Sequence, residues 1–157
     1  MKKISENSLE TDCLCQVTLS YQPNHLVKSL PTLSAPEEVY SFLKNVWDLS
    51  KIELQEEFYV LLFNNALKCI GWSKVSSGGK SSTIVEVSQV VTIALLGNAD
   101  SVVIAHNHPS GHLRESTADQ HLTTRISKAL SLLGIKLNDH LIICRDGYIS
   151  FKQRGKL

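Results

Sequence analysis

One stretch, SVVIAHNHPSGHLRESTAD at residues 101–119, constrains the fold more than any other. Ser101 to Ala105 is short and apolar, as a core strand is. His106, Asn107 and His108 then turn it polar. Pro109 disfavours helical backbone at the residue before it, so the extended chain is expected to run to His108. Gly111 marks a turn. Beyond it, Ser116 and Asp119 stand at S-x-x-D spacing ahead of a helical stripe of Leu122, Ile126, Ala129, Leu130 and Leu133, which stops at Gly134. A buried strand, a tight loop and an amphipathic helix, in that order, form one unit of a layered α/β domain.

The two histidines stand two apart on that strand, so they share a face, about 6.6 Å apart along the backbone. Asp119 falls in the first turn of the next helix, where its carboxylate can point back to the strand end. Two histidines and one carboxylate are the protein ligands of an open zinc site, which keeps its fourth position for water. The same Ser116 and Asp119 also form a capping pattern that needs no metal. Spacing alone leaves both readings open.

The rest of the chain supplies partners for that unit. Alternation from Cys13 to Tyr21 suggests a half-buried strand, and Gln22 to Leu33, with Pro23 and Pro31, reads as a connector. Residues 1–11 look frayed. Ser34 with Glu37 makes a capping box for a helix whose apolar face is Val39, Phe42, Leu43 and Val46. Glu57 to Phe63, the turn Asn64-Asn65 and Leu67 to Val75 predict a β-hairpin. Residues 76–82 read as a loop, Thr83 to Val87 as a strand, and Ser88 as the cap of a helix ending near Gly97. Leu141 to Cys144 and Tyr148 to Phe151 flank the hairpin signal Asp146-Gly147. Hairpins mixed with strand–helix–strand units predict an α/β fold with a mixed β-sheet sandwiched by helices. Residues 1–33 are expected to be an N-terminal strand and connector, and 34–157 the domain.

Composition excludes several classes. With 157 residues, 43% hydrophobic and 20% charged, the chain fits one domain with one core. A net charge of +1 gives no overall field for nucleic acid or a membrane surface. The basic residues Lys152, Arg154 and Lys156 read as a solvated terminus. No apolar stretch follows Lys2 and Lys3 as a signal peptide would require, and Val90 to Leu96 is too short to span a bilayer. Four cysteines without C-x-x-C spacing suggest free, mostly buried thiols and a cytoplasmic setting.

His106-x-His108, seven further residues, then Ser116-x-x-Asp119 resembles the JAMM (JAB/MPN) metalloprotease signature. HNHPSG is similar to the RadC-type branch of that family, as are ELQEEFYVLLFN at 53–64, SSGG at 76–79 and DHLIICRDGYISF at 139–151. The likeness is clearest over 53–157. It implies a JAB/MPN, cytidine-deaminase-like architecture and one Zn2+ per chain held by His106, His108 and Asp119. It also implies hydrolysis of peptide or isopeptide bonds in a peptide or protein substrate. Ser116 resembles the serine that helps hold the oxyanion. The family's catalytic glutamate opens a strand, which the resemblance places at Glu57. Strand physics alone does not choose Glu57 over Glu56, because neighbours face opposite ways.

Some features depart from the branch. Val87-Ser88-Gln89-Val90 stands where a Pro-Arg-Glu/Asp stretch is usual, and Arg114-Glu115 where a proline is common. No helix-hairpin-helix signal precedes residue 53, so nucleic acid binding is not expected by that route. A zinc-containing accessory module in DNA repair or mobile-element defence is the rival function. A zinc deaminase would need H-x-E and P-C-x-x-C, and both are missing. His140 is expected as a buried histidine bonded to backbone, His112 as solvated, and Trp47 and Trp72 as closing the edge of the core.

Overall fold

Buried β-branched and aromatic residues build the centre of the molecule. Glu57–Phe63 (β1) and Ser101–Asn107 (β3) are each buried at all seven positions. Strands covered on both faces carry such continuous apolar runs, whereas half-exposed strands alternate. In the computed structural model, which describes residues 26–78 and 84–157, they lie side by side in a five-stranded sheet. The other strands are Cys69–Ser77 (β2), Lys136–Ile143 (β4) and Tyr148–Ser150 (β5), and the order is β2-β1-β3-β4-β5. Among the described strands only β3 and β4 are parallel, so the sheet is mixed as expected.

Helices cover both faces. Pro36–Val46 (α1) packs Val39 and Leu43, with the following Trp47, on Tyr59, Leu61, Phe63, Val103 and Leu141. Val87–Leu96 (α2) and Thr117–Ser131 (α3) pack Val90, Ala94, Ile126 and Leu130 on Phe58, Val60, Leu62, Val102 and Ile104. Helix α3 is the crossover between parallel β3 and β4, as such a connection requires. Odd residues of β1 thus face α1 and even residues face α2 and α3. That alternation decides the site described below.

Several local expectations shift. The α1 cap is displaced by one residue: Pro36 takes the first helical position, which suits its fixed φ. Glu38 rather than Glu37 then accepts hydrogen bonds from the Ser34 and Ala35 amides, at 2.7 and 3.1 Å. Glu37 instead accepts from the Tyr148 hydroxyl at 2.7 Å. Residues 84–86 form no strand, and Val87 opens α2. Its β-branched run packs as a helix because Val90 and Ala94, four apart, meet the sheet. The N-cap of α2 is Glu86, not Ser88. In the first hairpin Asn64 Oδ1 accepts from the Ala66 and Lys68 amides, both at 3.0 Å, so the turn is longer than two residues and β2 starts at Cys69. Trp47 is buried as expected, but Trp72 is 47% exposed. Leu133 is also exposed, and Thr123 replaces it on the buried face of α3. The strand expected at 13–21 and most of the loop at 76–82 lie outside the described residues; Ser76 and Ser77 belong to β2. Among the described residues, no helix is long and apolar enough to cross a membrane.

Candidate metal centre

Strand β3 ends where the sequence turns polar. His106 and Asn107 are its last residues, and the His108 amide still donates to the Ile143 carbonyl of β4 at 3.1 Å. His108 therefore keeps the alternation and joins His106 on the α3 face. Gly111 closes the loop, its amide donating to the His108 carbonyl at 2.9 Å with φ +74°, a conformation costly for other residues. The chain then enters α3 at the Ser116 cap.

The geometry of Asp119 is compatible with both readings at once. Its Oδ2 accepts from the Ser116 amide and hydroxyl, each at 2.7 Å, and its own amide donates to Ser116 Oγ at 3.1 Å. That capping box leaves Oδ1 aimed at the strand, 3.2 Å from His106 Nε2. His106 Nε2 and His108 Nε2 are 3.0 Å apart, and His108 Nε2 lies 3.8 Å from Asp119 Oδ2. One ligand atom from each of the three residues lies within 4.8 Å of the others.

The donor chemistry fits a cation. Zinc–nitrogen bonds of about 2.0–2.1 Å at tetrahedral angles put ligand atoms about 3.3 Å apart, close to the spacing here. The His112 carbonyl, 2.8 Å from His108 Nδ1, can only accept, so Nδ1 carries the proton and His108 Nε2 presents a lone pair to the cluster. Such an outer bond to a ligating histidine is usual at metal centres. Burial pushes the Asp119 carboxyl up, but the His106 ring beside it, with the Ser116 donors, outweighs burial and holds the group well below the usual carboxylate range. It stays an anionic donor.

A second layer lies behind the ligands. His106 Nδ1 is 2.8 Å from His140 Nε2, and His140 Nδ1 is 2.6 Å from Thr123 Oγ1. His140 is fully buried, as expected, but its ring nitrogens meet side chains rather than backbone. Burial first, then the neighbouring His106 ring, holds its pKa well below the ordinary value. The sequence signal was Asp139-His140 on a strand parallel to β3; only the register, Ile104 opposite His140, brings it behind His106.

Glu57 is not brought to this cluster. Phe58 pairs with His106, so Glu57 takes the opposite face. Its carboxylate, fully buried, accepts from Lys74 Nζ at 3.0 Å, Gln55 Nε2 at 3.1 Å, and the Ser77 and Tyr59 hydroxyls at 3.3 Å. Tyr59 packs on Trp47 beside α1. The Glu57 amide donates to Asn107 Oδ1 at 2.7 Å, and Asn107 Nδ2 holds the Ile52 and Gln55 carbonyls. Asn107, between the two histidines, thus anchors the entry to β1. The expectation that Glu57 stands beside the histidines is corrected on this geometry; continuing the alternation one residue ahead of β1 would give their face to Glu56. Glu56 is half-buried, its carbonyl accepts from the Gly78 amide at 2.8 Å, and no partner of its carboxylate occurs among the described residues. The basic tail is not simply solvated either, since Arg154 and Lys156 reach Glu115, at 2.8 and 3.9 Å, beside the Ser116 cap.

Comparison with known proteins agrees with this architecture. A UPF0758 protein of Porphyromonas gingivalis is 47% identical over 104 residues, 66% of this chain and 46% of that protein. One from Flavobacterium johnsoniae is 43% identical over 100 residues, 64% of this chain and 44% of its own. One from Photorhabdus laumondii is 37% identical over 123 residues, 78% and 52% of the two chains. The chain thus spans about half the length of these relatives. Residues 33–156 match the RadC-like JAB domain, and the chain belongs to that family.

Proposed function

We propose that this chain is a zinc-dependent hydrolase of peptide or isopeptide bonds, with Glu56 as its general acid/base. The observation that carries the proposal is the convergence of His106, His108 and Asp119, whose ligand atoms meet at cation spacing. A bound zinc ion would supply Lewis acidity, polarising the scissile carbonyl and acidifying water. Glu56, which precedes β1 and which continued alternation would turn toward the His106 face, would take a proton from the attacking water and pass it to the leaving amine. Glu57 is unsuited to that task because four donors, one of them cationic, already hold its carboxylate. Ser116 is exposed, and its hydroxyl would turn from Asp119 to donate to the developing oxyanion. A peptide or protein is the substrate class this chemistry serves. The free thiols Cys69 and Cys144 support a reducing, cytoplasmic setting.

The test is a cleavage screen on a peptide and isopeptide library, with protein purified without chelator. Cleavage should stop on zinc removal, return with added zinc, and fail in Glu56→Gln while that variant keeps its metal. Cleavage that survives zinc removal would refute the proposal. So would full activity in Glu56→Gln.

A further inference from the structure

We infer that Thr123 and His140 form a hydrogen-bond relay that sets the tautomer of His106 and presents its Nε2 lone pair to the ion. Both are positioning residues, and neither belongs to the His-x-His or S-x-x-D motif. The relay rests on the metal centre proposed above, and its direction follows from which atoms can donate.

The chain of bonds starts in α3. The Asp119 carbonyl oxygen can only accept, and Thr123 Oγ1 lies 2.6 Å from it, four residues on, in the usual back-bonding geometry. The single hydroxyl proton of Thr123 is therefore committed to the helix. Toward His140 Nδ1, at 2.6 Å, the hydroxyl oxygen can only accept, so His140 Nδ1 carries a proton. His140 is wholly buried, its ring 4.5 Å from that of Phe151 and 6.0 Å from that of Phe58 between centroids. Of two facing ring nitrogens one must donate and one accept, and His140, whose proton already points to Thr123, is the acceptor. Its Nε2 must then accept, and the facing His106 Nδ1, 2.8 Å away, must donate. A neutral His106 with its proton on Nδ1 has a bare Nε2, the atom 3.2 Å from Asp119 Oδ1 and 3.0 Å from His108 Nε2.

The relay has a reason to exist. A free histidine side chain favours the opposite tautomer, which would aim an N–H at the ion. His108 is held in the required form by the His112 carbonyl, a bond within its own loop. His106 lies on a buried strand, and among the described residues its Nδ1 meets His140 rather than a carbonyl. The structure supplies instead an acceptor from β4 that is itself oriented from α3. Asp119 then serves twice, its carboxylate as ligand and its carbonyl as the anchor of the relay.

The relay is tested by nitrogen-15 NMR of the histidine rings in zinc-free and zinc-loaded protein, with competitive chelator titration of zinc. The parent should show His140 as the neutral Nδ1–H tautomer in both states. Thr123→Val, which keeps shape but removes the hydroxyl, should bind zinc about 10–100-fold more weakly. Thr123→Ser should restore both the tautomer and the affinity, which a purely packing role for the threonine methyl would not allow. An Nε2–H tautomer at His140 in the parent overturns the relay, and that spectrum needs no variant to fold. Zinc held as tightly by Thr123→Val as by the parent also overturns it. A parent that binds no zinc refutes the metal centre instead, and the His140 spectrum still decides the relay.

Discussion

Where β1 begins and β3 ends, the sheet has a carboxylate on each side, Glu57 buried and Asp119 half-buried, and the two are balanced in different ways. On the α1 side, Glu57 is met by Lys74, Gln55, Tyr59 and Ser77, so the protein itself supplies both cation and donors. On the α3 side, Asp119 is met by Ser116 through one oxygen, while the other faces a histidine nitrogen. Glu57 is a completed structural charge that ties β2 to β1. Asp119, with two imidazoles, is a set of donors that an ion would complete. The comparison teaches that burial and proximity to a motif do not identify a functional carboxylate; what decides is whether its compensation is already finished.

The largest expected effect tests that contrast directly. His106→Ala should reduce zinc from about one ion per chain to near zero by elemental analysis, since an open site with three protein ligands would be left with two. Asp119→Asn is the sharper variant, because asparagine still caps a helix but brings no charge. Zinc content unchanged in Asp119→Asn would mean that the residue only caps, and the contrast with Glu57 would be void.

Next comes the pair of adjacent glutamates. Glu56→Gln should keep its zinc and lose about 10²–10⁴-fold in turnover, the usual contribution of a general acid/base. Glu57→Gln should retain turnover and instead lose about 1–3 kcal/mol of stability, measured by denaturant unfolding, as the Lys74 and hydroxyl partners lose their anion. The reverse pattern would exchange the roles of the two faces.

A third test weighs the packing that holds the histidine face in place. Ile126 is fully buried on α3, one turn from Thr123. Ile126→Ala should cost about 2–5 kcal/mol. An unchanged unfolding midpoint would mean that α3 does not rest on the sheet through this residue, and the placing of Asp119 would need another cause.

The smallest effect probes how dry the α1 side is. Burial pushes the Cys69 thiol up to about 11. Its thiolate should therefore be scarce in the folded chain near neutral pH, and alkylation slow until the protein unfolds. The sign for stability follows: the unfolded thiol loses its proton first, so this contribution is complete below the ordinary thiol range and is lost as pH rises toward 11. Rapid labelling of Cys69 in folded protein at pH 8 would show that water reaches this face.

Much of the site was legible because its geometry is local. His106 and His108 share a face by strand periodicity alone, and Ser116 with Asp119 form a first-turn pair whatever the helix packs on. The stripe of α3 was readable for the same reason, as were the two hairpins. Local cues failed where two of them competed. Ser34 and Pro36 both mark the start of α1, and the fixed φ of proline set the register. Val85 and Val87 look like strand residues, but packing on the sheet made a helix from Val87 onward.

By itself, then, the sequence determined the candidate trio of His106, His108 and Asp119, the covered central strands and the family, since each depends on residue type at short separation. Only the tertiary structure decided that Glu57 lies on the face opposite the histidines, that His140 backs His106, and that Asn107 clamps the entry to β1. Those outcomes depend on the register of β1 against β3 and of β3 against β4. A shift of one residue exchanges every side chain between the two faces, and the pairing that prevents it is made between residues about 40 positions apart, where no local periodicity reaches.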